Sequence, residues 1–452
     1  MGTAPLLIIV LAAGKGTRMK SQTPKVMHAV AGRSLLAHVL ATAAAAGATK
    51  LAVVVGPDMP AVCAEVARVA PAAVLFEQAN QRGTADAALA AGPALAGHTG
   101  DVLVMFADTP LIRPATIARL IAALDDGAQV AVLGFEAADP TGYGRLVTDA
   151  GGALLAIREH NDASASERAI RLCNSGVMAF RTGDLAGLLG RIAPNNAKGE
   201  YYTTDAVALL REAGAKAATV ACAEDEVLGV NSRAHLAAAE AVFQARARAH
   251  AMAEGATLIA PDTVWFSHDT TIGRDVIIEP NVVFGPGVTI DDDVRINAHC
   301  HIEGARIARG ARIGPFARLR PGADLGPDVH IGNFVEVKNA KLERGAKANH
   351  LAYLGDGRVG AQANIGAGTI FCNYDGFNKH FTDVGAGAFV GSNSSLVAPV
   401  KIGDGAFVGS GSVITRDVAA DALALERAEQ EERPGWAAKF RALMQKRKAR
   451  RI

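Results

Sequence analysis

Between Leu11 and Lys25 the chain reads LAAGKGTRMKSQTPK, directly after the apolar run LLIIV. Glycines and cations packed behind a strand are the ingredients of a phosphate-binding turn. Backbone N–H groups cradle phosphate oxygens, and Lys15, Arg18 and Lys25 offset their charge. Two common versions of such a turn fail on spacing. A P-loop needs G-x-x-x-x-G-K-[ST], but Ile9 stands five positions before Gly14, and no Ser or Thr follows Lys15. A dinucleotide turn needs G-x-G-x-x-G, and Met19 occupies the third glycine position after Gly14 and Gly16. A polyphosphate-binding turn remains, with a plain tight turn carrying surface cations as the alternative.

The elements around this turn read as alternating strands and helices from residue 5 to residue 231. PLLIIVLAAG, KLAVVVG, DVLVMFADTP and QVAVLGF are short apolar runs, with Ala-rich, Leu-spaced segments between them. Such alternation implies a mostly parallel sheet covered on both faces. Ser34 is placed to N-cap the segment SLLAHVLATAAAA, and Gly47 to end it. Residues 232–254 contain no Gly or Pro and are rich in Ala, Glu, Arg and Leu. They predict one helix about 35 Å long, read as a connector, with Gly255 after it.

Beyond Gly255 aliphatic residues recur every six positions: Ile272, Ile278, Phe284, Ile290, Ile296 and Ile302. After a one-residue shift the series resumes at Ile313, Leu319, Leu325, Ile331 and Val337, and it runs again from Val384 to Ile414. Six residues fit no single helix face but suit a short strand and turn repeated. Hexapeptide repeats of this kind resemble left-handed parallel β-helices, in which three hexapeptides make one triangular coil. KNAKLERGAKANHLAYLGDGR and FCNYDGFNKHFTD interrupt the series. Both are expected to project as loops from a corner of the solenoid and to carry function.

The chain has 452 residues, enough for two or three domains, and half of them are hydrophobic. A formal net charge of +1 gives no global pull toward nucleic acid or a membrane surface. The basic end, KFRALMQKRKARRI, reads as a solvated or partner-contacting tail. Five scattered cysteines offer neither zinc-ligand spacing nor a disulfide framework and suit a reducing cytoplasm. No signal segment and no apolar stretch of membrane-spanning length is legible, so no membrane insertion is expected.

LAAGKGTRM…PK resembles the signature of sugar-phosphate nucleotidyltransferases. EQANQRGTADA, FADTPL, PTGYGR, REHNDA, NSGVMAF, NAKGEYYTTD, GVNSR, IGPFARLRPGA, GNFVEVKN, NHLAYLGD, NIGAGTIFCNYDG and FVGSNSSLVAPV extend the likeness over essentially the whole chain. Together they resemble the bacterial bifunctional N-acetylglucosamine-1-phosphate uridyltransferase and glucosamine-1-phosphate N-acetyltransferase family. The resemblance implies a Rossmann-like nucleotidyltransferase domain over 1–231, the connector helix 232–254, and a left-handed β-helix acetyltransferase domain over 255–452 ending in a C-terminal arm. It implies cytoplasmic homotrimers, with no nucleic-acid partner, that make UDP-N-acetylglucosamine for peptidoglycan, lipopolysaccharide and lipid A.

For uridyl transfer from UTP, the resemblance puts Leu11, Ala12, Ala13 and Gly14 on uracil and phosphates, and Arg18 and Lys25 on the developing charge. Gln78, Gly83 and Thr84 contact uracil, with Phe106 and Ala107 leading into Asp108. Asp108 and Asn231 hold Mg²⁺, while Gly144, Glu159 and Asn174 grip the acetylated sugar. Read alone, Asp108 is equally a turn residue ending its strand, and Asn231 equally a cap for the following helix. The family usually reads Leu-Gly-Thr-Gly-His-Ala where this chain has Arg82, Ala85 and Asp86 around Gly83 and Thr84, and Ala107 replaces a common glycine.

Acetyl transfer from acetyl-CoA to an amine needs a proton acceptor near neutral pKa. The resemblance implies His350 in that role, with Glu336 orienting or assisting it. Arg320, Lys338 and Lys379 match the family's phosphate-binding cations, and Tyr353 and Asn364 its sugar contacts. Ala367, Asn373, Tyr374, Ser392, Ser410 and Arg427 match the acetyl-CoA positions. The segment after Asp417 is expected to leave the repeat and cross to a neighbouring subunit, with Arg427 acting there and Glu426 weakening phosphate contact. The competing reading is a nucleotidyltransferase whose solenoid is not catalytic.

Overall fold

The computed structural model describes residues 4–14, 16–181 and 183–450. Lys15 lies outside the described residues. The chain divides into two compact units, Met1–His250 with Phe266–His268, and Ala251–Trp265 with Asp269–Ile452.

The first unit is built on a mixed sheet. Its main strands are β1 (Leu6–Leu11), β2 (Lys50–Val55), β3 (Val74–Glu77), β4 (Asp101–Phe106), β5 (Val130–Glu136), β6 (Leu172–Phe180) and β7 (Ala217–Cys222). They lie in the order β7-β5-β6-β4-β1-β2-β3, and β6 alone in this order runs antiparallel to its neighbours. A hairpin, Arg145–Thr148 with Leu154–Arg158, joins at β6. Every residue of β1 is buried, as a strand covered on both faces requires. Its alternate residues enter two cores: Leu6, Ile8 and Val10 on one face, Leu7, Ile9 and Leu11 on the other. Each fully buried aliphatic side chain contributes about 1.5–3 kcal/mol by leaving water.

Ser34 caps the helix Leu35–Ala45 through its side-chain oxygen and the Ala37 N–H, and Gly47 follows at a φ of +84°. The long helix runs Arg233–Ala253, and most of it packs into the first unit. Ala239 is buried with Met19, Val30, Leu35 and Leu111. The Gln244 amide exchanges two hydrogen bonds with the Phe266 backbone, which binds Phe266–His268 to the same unit.

The second unit is a solenoid of short parallel strands on three faces, a left-handed β-helix. Pairing advances by 17 or 18 residues per coil, as in Ile290↔Ile307↔Leu325↔Leu342↔Val359. Nearly all the periodic aliphatic residues point inward and are buried; Ile272, in an outermost coil, is half-buried. Corners are turned by residues in the left-handed region, among them Asp293, His299, Phe316, Asp328, Phe334 and Leu351.

Of three expectations about this unit, two need correction and one holds. The first interruption is no loop, because strands Glu336–Leu342, Lys347–His350 and Tyr353–Val359 fill it. Ala340, Ala346, Ala348 and Ala352 take inward positions there, and five-residue steps break the count without breaking the coil. The second interruption is a true insertion: pairing jumps 25 residues from Val359 to Val384, and Phe377 is 92% exposed. After Asp417 the repeat continues, since Leu423–Ala424 pairs with Phe407–Val408. The Glu426 carboxylate accepts a hydrogen bond from the Val413 N–H and its own N–H donates to the Ser412 hydroxyl, so it helps close the solenoid's end. The chain then runs to a helix, Trp436–Ala449, with no buried residue.

Candidate functional sites

In the first unit, register brings the ends of β1 and β4 side by side, with Leu11 opposite Phe106. The segments Ala12–Gly14 and Ala107–Asp108 therefore emerge together at the carboxyl edge, where open α/β sheets bind ligands. A cavity of about 360 Å³ opens there. Of the sequence candidates, Leu11, Ala12, Ala13, Gly14, Lys25, Gln78, Gly83, Thr84, Phe106 and Asp108 line it. Arg18 is exposed on the short helical turn Thr17–Met19 and is not part of the lining. Gly16 has a φ of +61°, and a Cβ there would stand 2.4 Å from the Lys25 Cβ, so glycine lets Lys25 approach.

Lys25 Nζ donates to Asp108 Oδ2 at 2.5 Å and to Asn231 Oδ1 at 3.1 Å. Residues distant in sequence thus meet on one cation. The alternative role for Asn231 falls to its neighbour: the Ser232 hydroxyl accepts from the His235 N–H and caps the long helix. A carboxylate oxygen and an amide oxygen turned toward one positive charge form a hard donor pair. Such a pair fits Mg²⁺, which keeps waters or substrate phosphates as its remaining ligands. No group of three or more His, Cys, Asp or Glu side chains able to hold a metal occurs among the described residues.

The loop Arg82–Ala85 is pinned by backbone bonds: the Tyr201 N–H donates to Arg82 O, and the Ala85 N–H to Tyr201 O. Gly83 sits at a φ of +129°, with Tyr201 backbone 2.4 Å from where a Cβ would stand. Arg82 and Asp86 form a salt bridge at 2.7 Å, and the Arg82 guanidinium lies over the Tyr201 ring. Four lining residues, Val26, Gln81, Ala87 and Glu200, carried no sequence assignment. Gln81 Nε2 donates to Ala13 O at 2.6 Å, tying the two loops, and Glu200 arrives from the segment before Tyr201. Their motifs were visible, but nothing in them announced the contact.

Gly144, Glu159 and Asn174 converge near the hairpin. A Cβ on Gly144 would lie 3.2 Å from Glu159 Oε1, and Gly144 O accepts from the Asn174 N–H. Burial pushes the Glu159 carboxyl above its ordinary range, against a hydrogen bond from the Thr204 hydroxyl.

In the second unit, strand register stacks the candidates. His330, Lys347, Asn364, Phe389 and Phe407 pair across successive coils. Three residues beyond each stand Asn333, His350, Ala367, Ser392 and Ser410, which therefore form one column at a corner. His350 Nδ1 and Asn333 Oδ1 are 2.7 Å apart. With the amide oxygen as acceptor, the proton sits on Nδ1, and Nε2 is left as the basic nitrogen. Asn333, not Glu336, orients the imidazole. Glu336 lies on another face, where its carboxylate pairs with Arg320 at 2.8 Å. Arg427 Nη1 donates to Ser410 O of the same chain, at the end of the column.

On the face that carries Glu336 stand Arg320, Lys338 and Lys379. Lys379 first, and Arg320 further off, crowd the Lys338 ammonium and push its pKa down. An anion between these cations relieves that repulsion. Asn373 Nδ2 lies 3.5 Å from the Tyr353 hydroxyl and donates to Asp356, a nearly buried carboxylate also bonded by Asn339. Lys379 and Tyr374 sit on the inserted loop, which Asp375 braces by accepting from the Phe377 and Asn378 N–H groups and pairing with His380. Tyr374 is exposed, with its hydroxyl on Gly376 O.

A nucleotidyltransferase-type sheet with a cavity at its carboxyl edge, joined to a hexapeptide solenoid, defines a two-activity transferase. Residues 8–171 match the MobA-like NTP transferase domain family. Residues 269–304 and 381–416 match the bacterial transferase hexapeptide (six repeats) family. The chain is 60% identical to the bifunctional protein GlmU of Xanthobacter autotrophicus over 99% of each chain. It is also 60% identical to that of Azorhizobium caulinodans over 98% of each, and 57% identical to that of a Bradyrhizobium species over 96% of this chain and 97% of the relative. The chain belongs to the bifunctional GlmU family, and it pairs uridyltransferase with acetyltransferase activity.

Proposed function

We propose that the solenoid acetylates glucosamine 1-phosphate from acetyl-CoA, and that the first unit joins the product to UTP, releasing pyrophosphate. The observations that carry the two-step reading over a passive solenoid are the oriented His350 and, on the same solenoid, the crowded cations Arg320, Lys338 and Lys379. A scaffold has no need of a histidine with a fixed tautomer, nor of three cations crowded on one face.

In the acetyl step, Arg320, Lys338 and Lys379 hold the sugar phosphate. His350 Nε2 takes a proton from the amine, whose nitrogen attacks the thioester carbonyl. The C–S bond breaks, and the thiolate of CoA leaves and takes up a proton. On this reading the Tyr353 hydroxyl donates to the tetrahedral oxyanion. Small residues of the column, Ala367, Ser392 and Ser410, leave room for the acetyl-CoA chain, with Arg427 at its end.

In the uridyl step, the sugar phosphate is already anionic and needs no side-chain base. The protein's task is alignment and charge neutralisation. Ala12–Gly14 present backbone to the nucleotide phosphates, and Lys25 supplies a cation. Asp108 and Asn231 would hold Mg²⁺, whose chemistry is to offset charge on the transferring phosphates. Glu159 and Asn174 grip the acetylated sugar.

The assembly we infer is a cytoplasmic homotrimer serving cell-envelope precursor synthesis. Phe316, Phe334 and Leu351 support the oligomer: they form an exposed apolar ladder held in the unfavourable left-handed region. Both co-substrates are cytoplasmic metabolites, and among the described residues no helix is long and apolar enough to cross a membrane.

Supplying glucosamine 1-phosphate, acetyl-CoA, UTP and Mg²⁺ together should yield UDP-N-acetylglucosamine by mass spectrometry. Omitting acetyl-CoA should abolish it. Product formed from N-acetylglucosamine 1-phosphate alone, with none from the amine, would instead establish the passive solenoid.

A further inference from the structure

Gln78 is 5% exposed and faces the nucleotide cavity. Its amide nitrogen has two hydrogens, and both are committed. Nε2 donates to Gly83 O at 3.0 Å and to Asp86 Oδ2 at 2.9 Å. A carbonyl and a carboxylate only accept, so the amide cannot be turned over without setting oxygen against oxygen. Asp86 is itself fixed: its other oxygen accepts from Arg82 Nε at 3.0 Å and Nη2 at 2.7 Å. Burial disfavours the Asp86 carboxylate, but the bonds from Gln78 and Arg82 outweigh it and hold the pKa below the ordinary range. The carboxylate is therefore ionised, and acceptor-only, throughout the neutral range. Among the described residues no donor reaches Gln78 Oε1, which is left for a ligand.

We infer that Asp86 is the residue that sets pyrimidine choice: it locks the Gln78 amide with its oxygen toward the base, so that the site accepts the N3–H of uracil and opposes the N3 lone pair of cytosine. The inference rests on the uridyl-transfer reading and deepens it. A free glutamine amide is ambidextrous, since it can present oxygen to uracil or nitrogen to cytosine at the cost of one rotation. Selectivity therefore resides in the group behind it, and the contact residue alone supplies none. Asp86 touches no substrate, so it is a positioning residue. Arg82 acts one step further back, by keeping the carboxylate aligned.

The test is kcat/KM for UTP and for CTP, with N-acetylglucosamine 1-phosphate and Mg²⁺, in the full-length protein. Asp86→Ala should lower the UTP:CTP ratio about tenfold, because only the Gly83 carbonyl then opposes rotation of the Gln78 amide. Asp86→Asn keeps an acceptor oxygen and should stay within about threefold of the unsubstituted chain. Acetyl transfer by the same preparations reports that the protein is folded. Should the alanine variant fail to fold, Asp86→Ser carries the test, with an expected drop of about fivefold, beyond the range of Asp86→Asn. A ratio unmoved in the alanine variant, or equal losses on both nucleotides, overturns the inference and leaves Asp86 a loop brace. An unsubstituted protein that uses neither nucleotide refutes the underlying uridyl-transfer reading instead.

Discussion

Single side chains separate the two activities. His350→Ala should cut acetyl transfer by about 10²–10⁴-fold, the usual worth of a positioned base, and spare uridyl transfer. Asp108→Ala should do the reverse, and coupled assays with each substrate pair check both. Asn333→Ala should lower acetyl transfer by about tenfold or more, because the imidazole loses the bond that fixes its tautomer. Glu159 gives a stability prediction. Its folded-state pKa is raised by burial, so its contribution is fully present below the ordinary carboxylate range and is lost as pH rises through the raised value. Glu159→Gln should flatten that part of the Tm-against-pH curve. At this scale the residue types were legible in the sequence, but their partners were not. Asn333 lies 17 positions from His350, and only coil length brings them together. Glu336 looked a better orienter by chemistry, yet pairs with Arg320 on another face.

At the scale of elements, the loop Arg82–Ala85 is held to Tyr201 closely enough that side-chain volume is forbidden at Gly83. Gly83→Ala should both strain the backbone, by about 1–3 kcal/mol, and push the loop off the cavity. Uridyl transfer should fall while the solenoid's acetyl transfer persists, as parallel assays on one preparation would reveal. The inserted loop bearing Lys379 is shaped by Asp375, whose carboxyl is held well below its ordinary range by the Asn378 and Phe377 N–H groups and His380. Asp375→Ala should raise KM for the sugar phosphate more than it lowers kcat. The sequence showed the six-residue period plainly, but it misplaced one pause. Alanines at Ala340 and Ala346–Ala348 hide the period from a search for large aliphatics, although the coil needs only a small buried side chain there.

At the scale of the molecule, the long helix belongs mainly with the first unit. A fragment ending at residue 268 should keep uridyl transfer, because it retains Ala239 in its core and the Gln244 clasp on Phe266. A fragment ending at 231 should lose its fold, which circular dichroism and thermal melting would register. The reading of residues 232–254 as a connector came from composition. Composition places a helix well but cannot say which neighbour its buried positions touch. Light scattering of the intact protein should give three times the chain mass, and Phe334→Asp should lower it by placing charge in the exposed ladder.

The histidine column also has a consequence for how a long co-substrate is measured. Neighbouring coils are separated by about 4.8 Å, so the column is graduated, with the base at one mark and Ser392 and Ser410 at fixed marks beyond it. Duplicating one complete 18-residue coil within that stretch would lengthen the groove by a single graduation and leave the chemistry at His350 untouched. On the acetyl-CoA path proposed above, the reach of the co-substrate is a digital property of the solenoid, altered in whole steps and not by gradual drift of a loop.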